Sequence, residues 1–301
     1  MATREQVLGS AGLLALKMIL RPDSPANRQD VWRRIHGTLS GLDRFPTIEE
    51  VNEVGIMEGY AGWAWSYDSP ANPFFLLQER SFFPALHSME LPPGIVLDAG
   101  GGTGRISALL SERPGLTPVL MDRSPEMLRQ ARSSHPELKA IRAEFSHIPL
   151  PDRSTTAVVS SLALTHTDDL AAAIAEFGRT LRPDGRIVIC DIHPSAVALG
   201  WQAFFQHASG QDVFLRNALF SMSEYFAAFT QADLEVTGLS EVFFDQESIR
   251  IMGERDPLAA TVLAEAFDGL PALVVWEARP KNRQGARTAA AQGGRPGHVP
   301  D

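Results

Sequence analysis

The stretch VLDAGGGTGR, residues 96–105, decides the fold of this chain. An apolar run leads into Asp98, and Gly100, Gly102 and Gly104 follow it in the spacing D-x-G-x-G-x-G. Glycines at these points permit positive φ angles and let a ligand approach the backbone closely. The stretch therefore predicts a strand, then a ligand-binding turn, then a helix whose free N–H groups face the ligand.

Short apolar runs alternate with amphipathic helices from residue 94 onward. The predicted strands are GIVLDAG, TPVLMD, KAIRAE, TTAVVSSLAL, GRIVICDI, LEVTGLSEVFF and PALVVWEARP. This alternation is typical of a Rossmann-like α/β fold: a doubly wound, mostly parallel, seven-stranded sheet with helices on both faces. In such a sheet, ligands bind beyond the carboxyl ends of the strands, and the turn after the first strand lies there.

The chain divides into three predicted regions. Residues 1–90 consist of helical patterns with breaks and a segment dense in Tyr and Trp, so we expect a helical lid and substrate wall. The sheet domain spans residues 91–280, with a helical insert at about 195–230. Residues 281–301 contain no large apolar residue apart from Val299, and we expect a disordered tail there.

The composition limits the partners that the chain binds. A net charge of -9 argues against nucleic acid, whose phosphates reward a basic face. Cys190 is the only cysteine, so no disulfide forms within the chain and we expect a reducing, cytoplasmic location. No apolar run approaches the roughly 18 residues of a membrane span, so we expect no membrane partner. The apolar segment at residues 8–20 predicts an N-terminal helix that offers a surface for a homodimer.

The spacing of the glycines distinguishes between nucleotide cofactors. Dinucleotide binding requires G-x-G-x-x-G, in which the pyrophosphate rests on the helix N-terminus. Counted from Gly100, the sixth position of that motif is Arg105, and the counts from Ala99 and Gly101 also fail. The sequence therefore argues against a dinucleotide cofactor.

Four motifs carry a resemblance to a known family. VLDAGGGTG is followed by VLMDRSPEML, by IRAEFSHIPLPD and by TTAVVSSLALTH, in that order. With these motifs, residues 94–193 resemble the class I S-adenosylmethionine-dependent methyltransferases, especially the small-molecule branch of ubiquinone/menaquinone-type and natural-product enzymes. The resemblance implies S-adenosyl-L-methionine as cofactor, S-adenosyl-L-homocysteine as its product form, and a small-molecule substrate.

The resemblance also implies which residues hold the cofactor. Asp122, at the end of the second strand, would accept hydrogen bonds from the ribose hydroxyls. Glu144 would meet the adenine amino group, and Ser161 would lie near the methionine part. Tyr67 belongs to a YD segment that closes over the cofactor in many relatives. The full predicted set is Tyr67, Asp98, Gly100, Gly102, Gly104, Asp122, Arg123, Glu144, Phe145 and Ser161.

Two histidines follow strands at the sheet edge where the substrate should lie. His166 follows the fourth predicted strand and His193 the fifth, and histidine is poised near neutral pH to act as a general base. We therefore predict both as catalytic residues. Asp168 and Asp169 are interpreted as the start of a helix, and no further carboxylate at a strand end completes an oxygen site, so we expect no metal.

These patterns predict a methyltransferase that moves a methyl group to an O, N or C atom of a small, partly apolar metabolite, in natural-product biosynthesis. The aromatic segments WAWSYDSPANPFF and WQAFFQH are expected to roof an apolar pocket for that substrate. Two alternatives stay open. A protein of this fold could bind cofactor or substrate and promote isomerisation or cyclisation instead. The other alternative is a macromolecule methyltransferase, although SSLA stands where base- and amide-methylating relatives often carry NPPY.

Overall fold

A computed structural model of the protein describes residues 3–20, 25–47, 51–69, 72–250 and 257–282. These ranges contain the strands β1 (Asn52–Glu53), β2 (Gly94–Ala99), β3 (Leu116–Asp122), β4 (Lys139–Arg142), β5 (Thr155–Ser161), β6 (Leu181–Ile192), β7 (Ala203–Gln206), β8 (Asp212–Leu215), β9 (Leu234–Phe243) and β10 (Pro271–Pro280). The α-helices are α1 (Arg4–Leu20), α2 (Pro25–Leu39), α3 (Ile56–Trp63), α4 (Pro73–Leu77), α5 (Phe83–Ser88), α6 (Arg105–Ser111), α7 (Pro125–Ser134), α8 (Leu170–Thr180), α9 (Pro194–Ala198), α10 (Met222–Gln231), α11 (Gln246–Arg250) and α12 (Pro257–Phe267). Single 3-10 turns lie at Leu42–Arg44 and Leu164–His166, and a π-helical turn lies at Gln78–Phe82. The predicted tail lies outside the described ranges from residue 283 onward.

The larger sheet has seven strands in the order β4-β3-β2-β5-β6-β10-β9. All neighbours pair in parallel except β10, which runs antiparallel to both β6 and β9. The strand order reverses beside β2, because the chain moves outward to β3 and β4 and then returns to β5 on the other side. This is the switch point at which an open α/β sheet binds its ligand, and the predicted Rossmann-like sheet is confirmed.

Alternate residues of the strands face opposite sides of the sheet, and each side carries a buried core. Val96 and Val159 belong to one core, together with residues of α6. Leu97 and Val158 belong to the other core, together with Phe177 of α8. Helices therefore cover both faces, as the alternation of strands and helices predicted. No helix of the described ranges is long and apolar enough to span a membrane.

The N-terminal region is mostly helical, as predicted, and its first helix packs within the chain. One face of α1 is buried. Lys17 Nζ donates hydrogen bonds of 2.7–3.1 Å to the carbonyl oxygens of Glu265, Ala266 and Asp268, at the end of α12. A positive charge at the C-terminus of a helix offsets the partial negative charge of its free carbonyls. This anchor fixes the N-terminal helices on the body of the sheet domain.

The prediction of a helical insert at about residues 195–230 is wrong in its middle part. The short helices α9 and α10 lie at its ends, but β7 and β8 form a hairpin between them, and β8 also pairs with β1. Phe205, Val213 and Leu215 are buried, with alternate side chains of β8 facing one small core. Aromatic and β-branched residues suit such a pleated, half-buried surface. The turn at Gly210, where φ is +85°, closes the hairpin.

Candidate active site

The glycine turn between β2 and α6 needs glycine for both its backbone angles and its close contacts. Gly100 has a φ of +73°, and Gly102 and Gly104 also lie at positive φ. A Cβ added at Gly100 would lie 2.6 Å from Cβ of Ala163 and 2.9 Å from Cζ of Phe145. Any side chain with a Cβ is therefore excluded at Gly100, because the opposite wall of the cleft approaches its backbone directly.

Asp98 orders this turn from beneath. It is fully buried, and its Oδ2 accepts hydrogen bonds from the backbone N (2.9 Å) and Oγ (2.7 Å) of Ser107, in the first turn of α6. Burial raises the pKa of Asp98 to about 6, against the effect of those hydrogen bonds. Asp98 therefore supports the loop and does not reach the cleft surface.

Asp122 holds the other side of the turn. Its Oδ2 accepts a hydrogen bond from the backbone N of Gly102 (2.9 Å), and its Oδ1 accepts one from the backbone N of Ser124 (2.8 Å), which caps α7. Burial raises the pKa of Asp122, and the same backbone hydrogen bonds oppose that rise. The carboxylate thus links the glycine turn to the next helix at the edge of the cleft.

A narrow cleft of about 50 Å³ opens above the glycine turn. Six of the predicted cofactor residues line it: Tyr67, Gly100, Gly102, Asp122, Arg123 and Phe145. The other four lie outside its lining: Asp98, Gly104, Glu144 and Ser161.

Glu144 and Ser161 have partners elsewhere. Glu144 Oε2 lies 3.4 Å from Nη1 of Arg123, and 59% of its side chain is exposed. Ser161 Oγ accepts a hydrogen bond from Nε2 of Gln78, in the π-helical turn of the N-terminal region. Six of the ten predicted cofactor residues therefore line one cleft, and Glu144 and Ser161 do not.

A larger cavity of about 480 Å³ adjoins the cleft. Both aromatic segments line it, as predicted, because Trp63 of the first stacks on Phe205 of the second at 4.5 Å between ring centroids. The cavity and the cleft share a wall formed by Tyr60, Tyr67, Leu162 and His166. A ligand in the cleft and one in the cavity would meet at these four residues.

His166 lies in the shared wall, on the 3-10 turn that follows β5. Its ring packs edge-on against Tyr60 at 5.6 Å, and its buried Nδ1 has no hydrogen-bond partner within the described residues. Burial lowers the pKa of His166 to about 4. The side chain is therefore a neutral imidazole at pH 7, with one ring nitrogen free for a ligand.

His193 does not reach the cavity, contrary to the prediction that placed both histidines beside the substrate. Its Nδ1 accepts a hydrogen bond from the backbone N of Ser195 (3.1 Å) and lies 2.7 Å from that residue's Oγ, so His193 caps α9. Its Nε2 lies 3.0 Å from Oε1 of Glu241 on β9. Both ring nitrogens are engaged in the scaffold.

Three residues that the sequence did not single out shape the shared wall: Leu162 and Tyr60 are part of it, and Asp191 holds the turn behind it. Leu162 has a φ of +52°, a strained value for a bulky residue, and its backbone N donates to the carbonyl of Cys190 at 2.8 Å. Tyr60 lies in an aromatic segment that offered several candidates. Asp191 Oδ2 accepts hydrogen bonds from the backbone N of Leu164 (2.8 Å) and Thr165 (3.2 Å), which positions the turn that carries His166. Its signal was an acid inside the apolar run VICDI, since a buried charge needs such partners.

The N-terminal region is attached directly to the glycine turn. Thr103 Oγ1 donates to Oδ1 of Asp68 at 2.9 Å, and Arg105 Nη2 lies 2.6 Å from Oε1 of Glu79. The guanidinium of Arg105 also lies 4.0 Å above the ring centroid of Phe75. These contacts fix the segment that contains Tyr67 against the cofactor side of the site.

The described residues contain no group of three or more His, Cys, Asp or Glu side chains suited to a metal ion. Asp169 instead caps α8, as its sequence position indicated, because its Oδ1 accepts a hydrogen bond from the backbone N of Ala172 (2.9 Å).

Comparisons with known proteins agree with this architecture. A family model described as a methyltransferase domain matches residues 97–189. The malonyl-[acyl-carrier protein] O-methyltransferase of Yersinia pestis is 33% identical over 57% of this chain and 62% of its own length. The demethylmenaquinone methyltransferase of Thermus thermophilus is 32% identical over 40% of this chain and 58% of its own length. The chain thus spans about three fifths of these two curated relatives.

A solved structure shares the fold. The S-adenosylmethionine-dependent methyltransferase from Mesorhizobium loti superposes with a TM-score of 0.51 at 23% identity, over 67% of this chain and 99% of that chain. The seven-stranded sheet agrees with this shared fold, and the glycine turn lies within the matched domain. Residues 97–189 thus match a methyltransferase domain, and the chain has the fold of the class I S-adenosylmethionine-dependent methyltransferases.

Proposed function

We propose that this protein transfers a methyl group from S-adenosyl-L-methionine to a small, partly apolar metabolite. The observation that carries the proposal is the wall shared by the cleft and the cavity, made of Tyr60, Tyr67, Leu162 and His166. It joins a site with the family's cofactor motifs to an apolar space of about 480 Å³, within the range of small-molecule pockets.

The residues of the cleft fit the cofactor. Gly100 presents bare backbone at a point where even a Cβ would collide with the opposite wall. Asp122 offers a carboxylate at the sheet edge, and Phe145 offers a ring face for a base. We assign the ribose to Asp122 and the adenine to the neighbourhood of Phe145. Glu144 stays a predicted partner of the adenine amino group. Its contact with Arg123 is long, at 3.4 Å, and joins two partly exposed side chains, so it holds the carboxylate only weakly.

The chain's own contribution to the reaction is positioning and exclusion of water. When bound, S-adenosyl-L-methionine supplies an activated methyl group, and in-line displacement depends mainly on holding the acceptor in the right place. Tyr60, Tyr67 and Leu162 surround the junction where cleft and cavity meet. Their apolar surfaces keep bulk water from competing with the substrate.

We assign to His166 the task of holding the polar end of the substrate. A general base is most effective when its pKa lies near the working pH, and a pKa of about 4 makes His166 a weak base at pH 7. Its buried Nδ1 lacks a partner, and an unpaired buried polar atom is costly until a ligand satisfies it. The neutral imidazole therefore suits a hydrogen bond to the methyl-accepting group.

We propose an O, N or C acceptor and a place in natural-product biosynthesis. The names of the relatives, a malonyl-[acyl-carrier protein] O-methyltransferase and a demethylmenaquinone methyltransferase, support methylation of acyl or quinone-like compounds. A cytoplasmic location and a homodimer through the N-terminal helices stay predictions.

The test is transfer of label from methyl-labelled S-adenosyl-L-methionine to a panel of metabolites that carry hydroxyl, amine or acidic C–H groups on an apolar body. We expect a labelled product heavier than its substrate by one methylene unit, and no product from the Gly100→Val variant. A converted substrate of unchanged mass would favour isomerisation or cyclisation. Absence of both cofactor binding and label transfer would refute the proposal.

A further inference from the structure

A second apolar cavity lies on the far side of the substrate cavity. It has a volume of about 420 Å³ and lies between α1, α12 and the β7–β8 hairpin. Trp201, Gln202 and Phe204 line both cavities, so a partition of one short segment separates them. The cavity is mostly apolar, and Arg216 in its lining is already paired with Glu53. Nothing in the family motifs concerns this space.

The partition is made of aromatic rings. Trp201 is buried, and its ring packs against Phe74 on the side of the substrate cavity and against Phe267 on the side of the second cavity, at 5.4 and 5.1 Å between centroids. Phe204 is only half-buried and lies 5.4 Å from Phe214. Phe204 therefore lies at the boundary of the two apolar spaces, where a hydrocarbon chain would pass from one to the other.

The backbone of the partition is held by hydrogen bonds. Asn217 Nδ2 donates to the carbonyl of Trp201 at 2.9 Å, and its backbone N donates to Oε1 of Gln202 at 2.6 Å. These bonds engage the carbonyl of Trp201 and Oε1 of Gln202, whereas the buried Nε1 of Trp201 has no hydrogen-bond partner within the described residues. The rings of Trp201 and Phe204 line both cavities and suit an apolar ligand.

We infer that the second cavity holds the distal apolar chain of the substrate, whose reacting end lies beside His166 in the first cavity. The substrate class is thus an amphipathic molecule with a linear hydrocarbon chain. The inference rests on the proposed function, because that proposal assigns the first cavity to the substrate. Its own support is the shared partition, the mostly apolar lining and the volumes of the two cavities, about 480 and 420 Å³.

The chain offers a matched pair of variants for a test. Gly9 and Gly12 both lie on α1, and a Cβ added at either meets no atom within 4 Å. Only Gly9 lines the second cavity. Gly9→Phe should therefore place a ring in that cavity, whereas Gly12→Phe places the same ring elsewhere on the same helix. Leu13→Phe, at another lining position, is the second filling variant if Gly9→Phe does not fold.

The probes are 1-hexanol and 1-dodecanol, titrated by calorimetry into the full chain. Each methylene moved from water into an apolar site strengthens binding up to about fourfold, so we expect the wild type to bind 1-dodecanol at least about tenfold more tightly than 1-hexanol. Gly9→Phe should weaken 1-dodecanol binding by at least about tenfold and leave 1-hexanol binding unchanged. Gly12→Phe should change neither.

Equal affinity of the wild type for both alcohols would overturn the inference, and so would unchanged 1-dodecanol binding in a folded Gly9→Phe or Leu13→Phe variant. Affinity for S-adenosyl-L-methionine is measured on the same samples. If the wild type fails to bind that cofactor while the alcohol results are as expected, the proposed methyl transfer fails and the chain-binding cavity stands.

Discussion

The cleft and the adjoining cavity share a wall, but different parts of the chain build them. The cleft comes mainly from residues that follow β2, β3 and β5, and its shape depends on backbone angles and on backbone hydrogen bonds to Asp122. The cavity comes from segments distant in sequence, whose rings, such as those of Trp63 and Phe205, pack on one another. We therefore expect the cleft to respond sharply to single atoms and the cavity to respond gradually.

The largest effect should follow from Gly100→Val, which tests the backbone half of this comparison. The side chain would enter a position with a φ of +73° and collide with Ala163 and Phe145. Left-handed strain and overpacking together should cost about 4 kcal/mol, roughly a thousandfold increase in the Kd for S-adenosyl-L-methionine. Calorimetric titration measures this Kd. Gly12→Ala, at an open position of α1, is the control and should bind as the wild type does. Unchanged binding by the valine variant would refute the role of the bare turn.

His166 tests the shared wall through the pH dependence of stability. Burial lowers its pKa from 6.5 to about 4. As the pH falls from 6.5 towards 4, the unfolded chain takes up a proton that the folded protein does not. The wild type should therefore lose up to roughly 3 kcal/mol of unfolding free energy through this residue, and His166→Gln should not.

Wild type and variant must be compared at each pH, because the buried acids Asp98, Asp122 and Asp191 act in the opposite direction. Burial raises the pKa of Asp98 and of Asp191 to about 6, so each favours the folded state as the pH falls below 6. Urea unfolding at several pH values gives the difference between wild type and His166→Gln. His87→Gln, on the exposed side of α5, is the control and should run parallel to the wild type. A constant difference for His166→Gln would show that this imidazole is not held neutral.

Asp122→Ala should weaken cofactor binding by a smaller amount than Gly100→Val. The substitution removes the acceptor for the backbone N–H groups of Gly102 and Ser124, besides the proposed ribose contact. Loss of hydrogen bonds to a charged acceptor should cost about 2 kcal/mol, roughly a thirtyfold increase in the Kd for S-adenosyl-L-methionine. Asp184→Ala removes an exposed acid near the start of β6, at the end of the strands away from the cleft, and should leave that Kd unchanged. If both alanine variants bind S-adenosyl-L-methionine equally well, Asp122 does not contribute to cofactor binding.

The same contrast explains what the sequence could predict. The sheet, the glycine turn and Asp122 depend on interactions between neighbours in sequence and on backbone angles that few residues adopt. Composition and spacing report such features directly. The spacing therefore predicts a turn at Gly100, and the structure adds its positive φ and its contacts with Ala163 and Phe145.

The orientation of His193, the hairpin and the conformation of Leu162 depend on residues far away in the chain. His193 follows a strand as His166 does, but Glu241 on β9 and the cap of α9 fix its ring away from the cavity. The run AFFQ within the hairpin fits a helix or a strand, and pairing with β8 decides in favour of a strand. Leu162 carries no signal at all, because its strained angle follows from the geometry between β5 and the turn held by Asp191.

The smallest change in cofactor affinity should follow from Arg105→Met, which tests the attachment of the N-terminal region to the helix after the glycine turn. Arg105 connects the helix after the glycine turn to Glu79 and to the ring of Phe75. Methionine keeps an apolar contact with the ring but removes the charge. A partly exposed ion pair and a cation–π contact together contribute about 1 kcal/mol, so the Kd for S-adenosyl-L-methionine should rise roughly fivefold.

Salt should distinguish this attachment from simple packing. Because screening weakens the ion pair in the wild type, the difference between wild type and Arg105→Met should shrink as the salt concentration rises. Arg80→Met is the matched control, since Arg80 lies in the π-helical turn beside Glu79 but pairs with Asp245 and Glu247. It should leave the Kd unchanged at every salt concentration. A fivefold rise in the Kd of Arg105→Met that is independent of salt would assign the attachment to the stacking on Phe75. Equal changes of the Kd in the two variants would mean that Arg105 does not hold the N-terminal segment to the cleft.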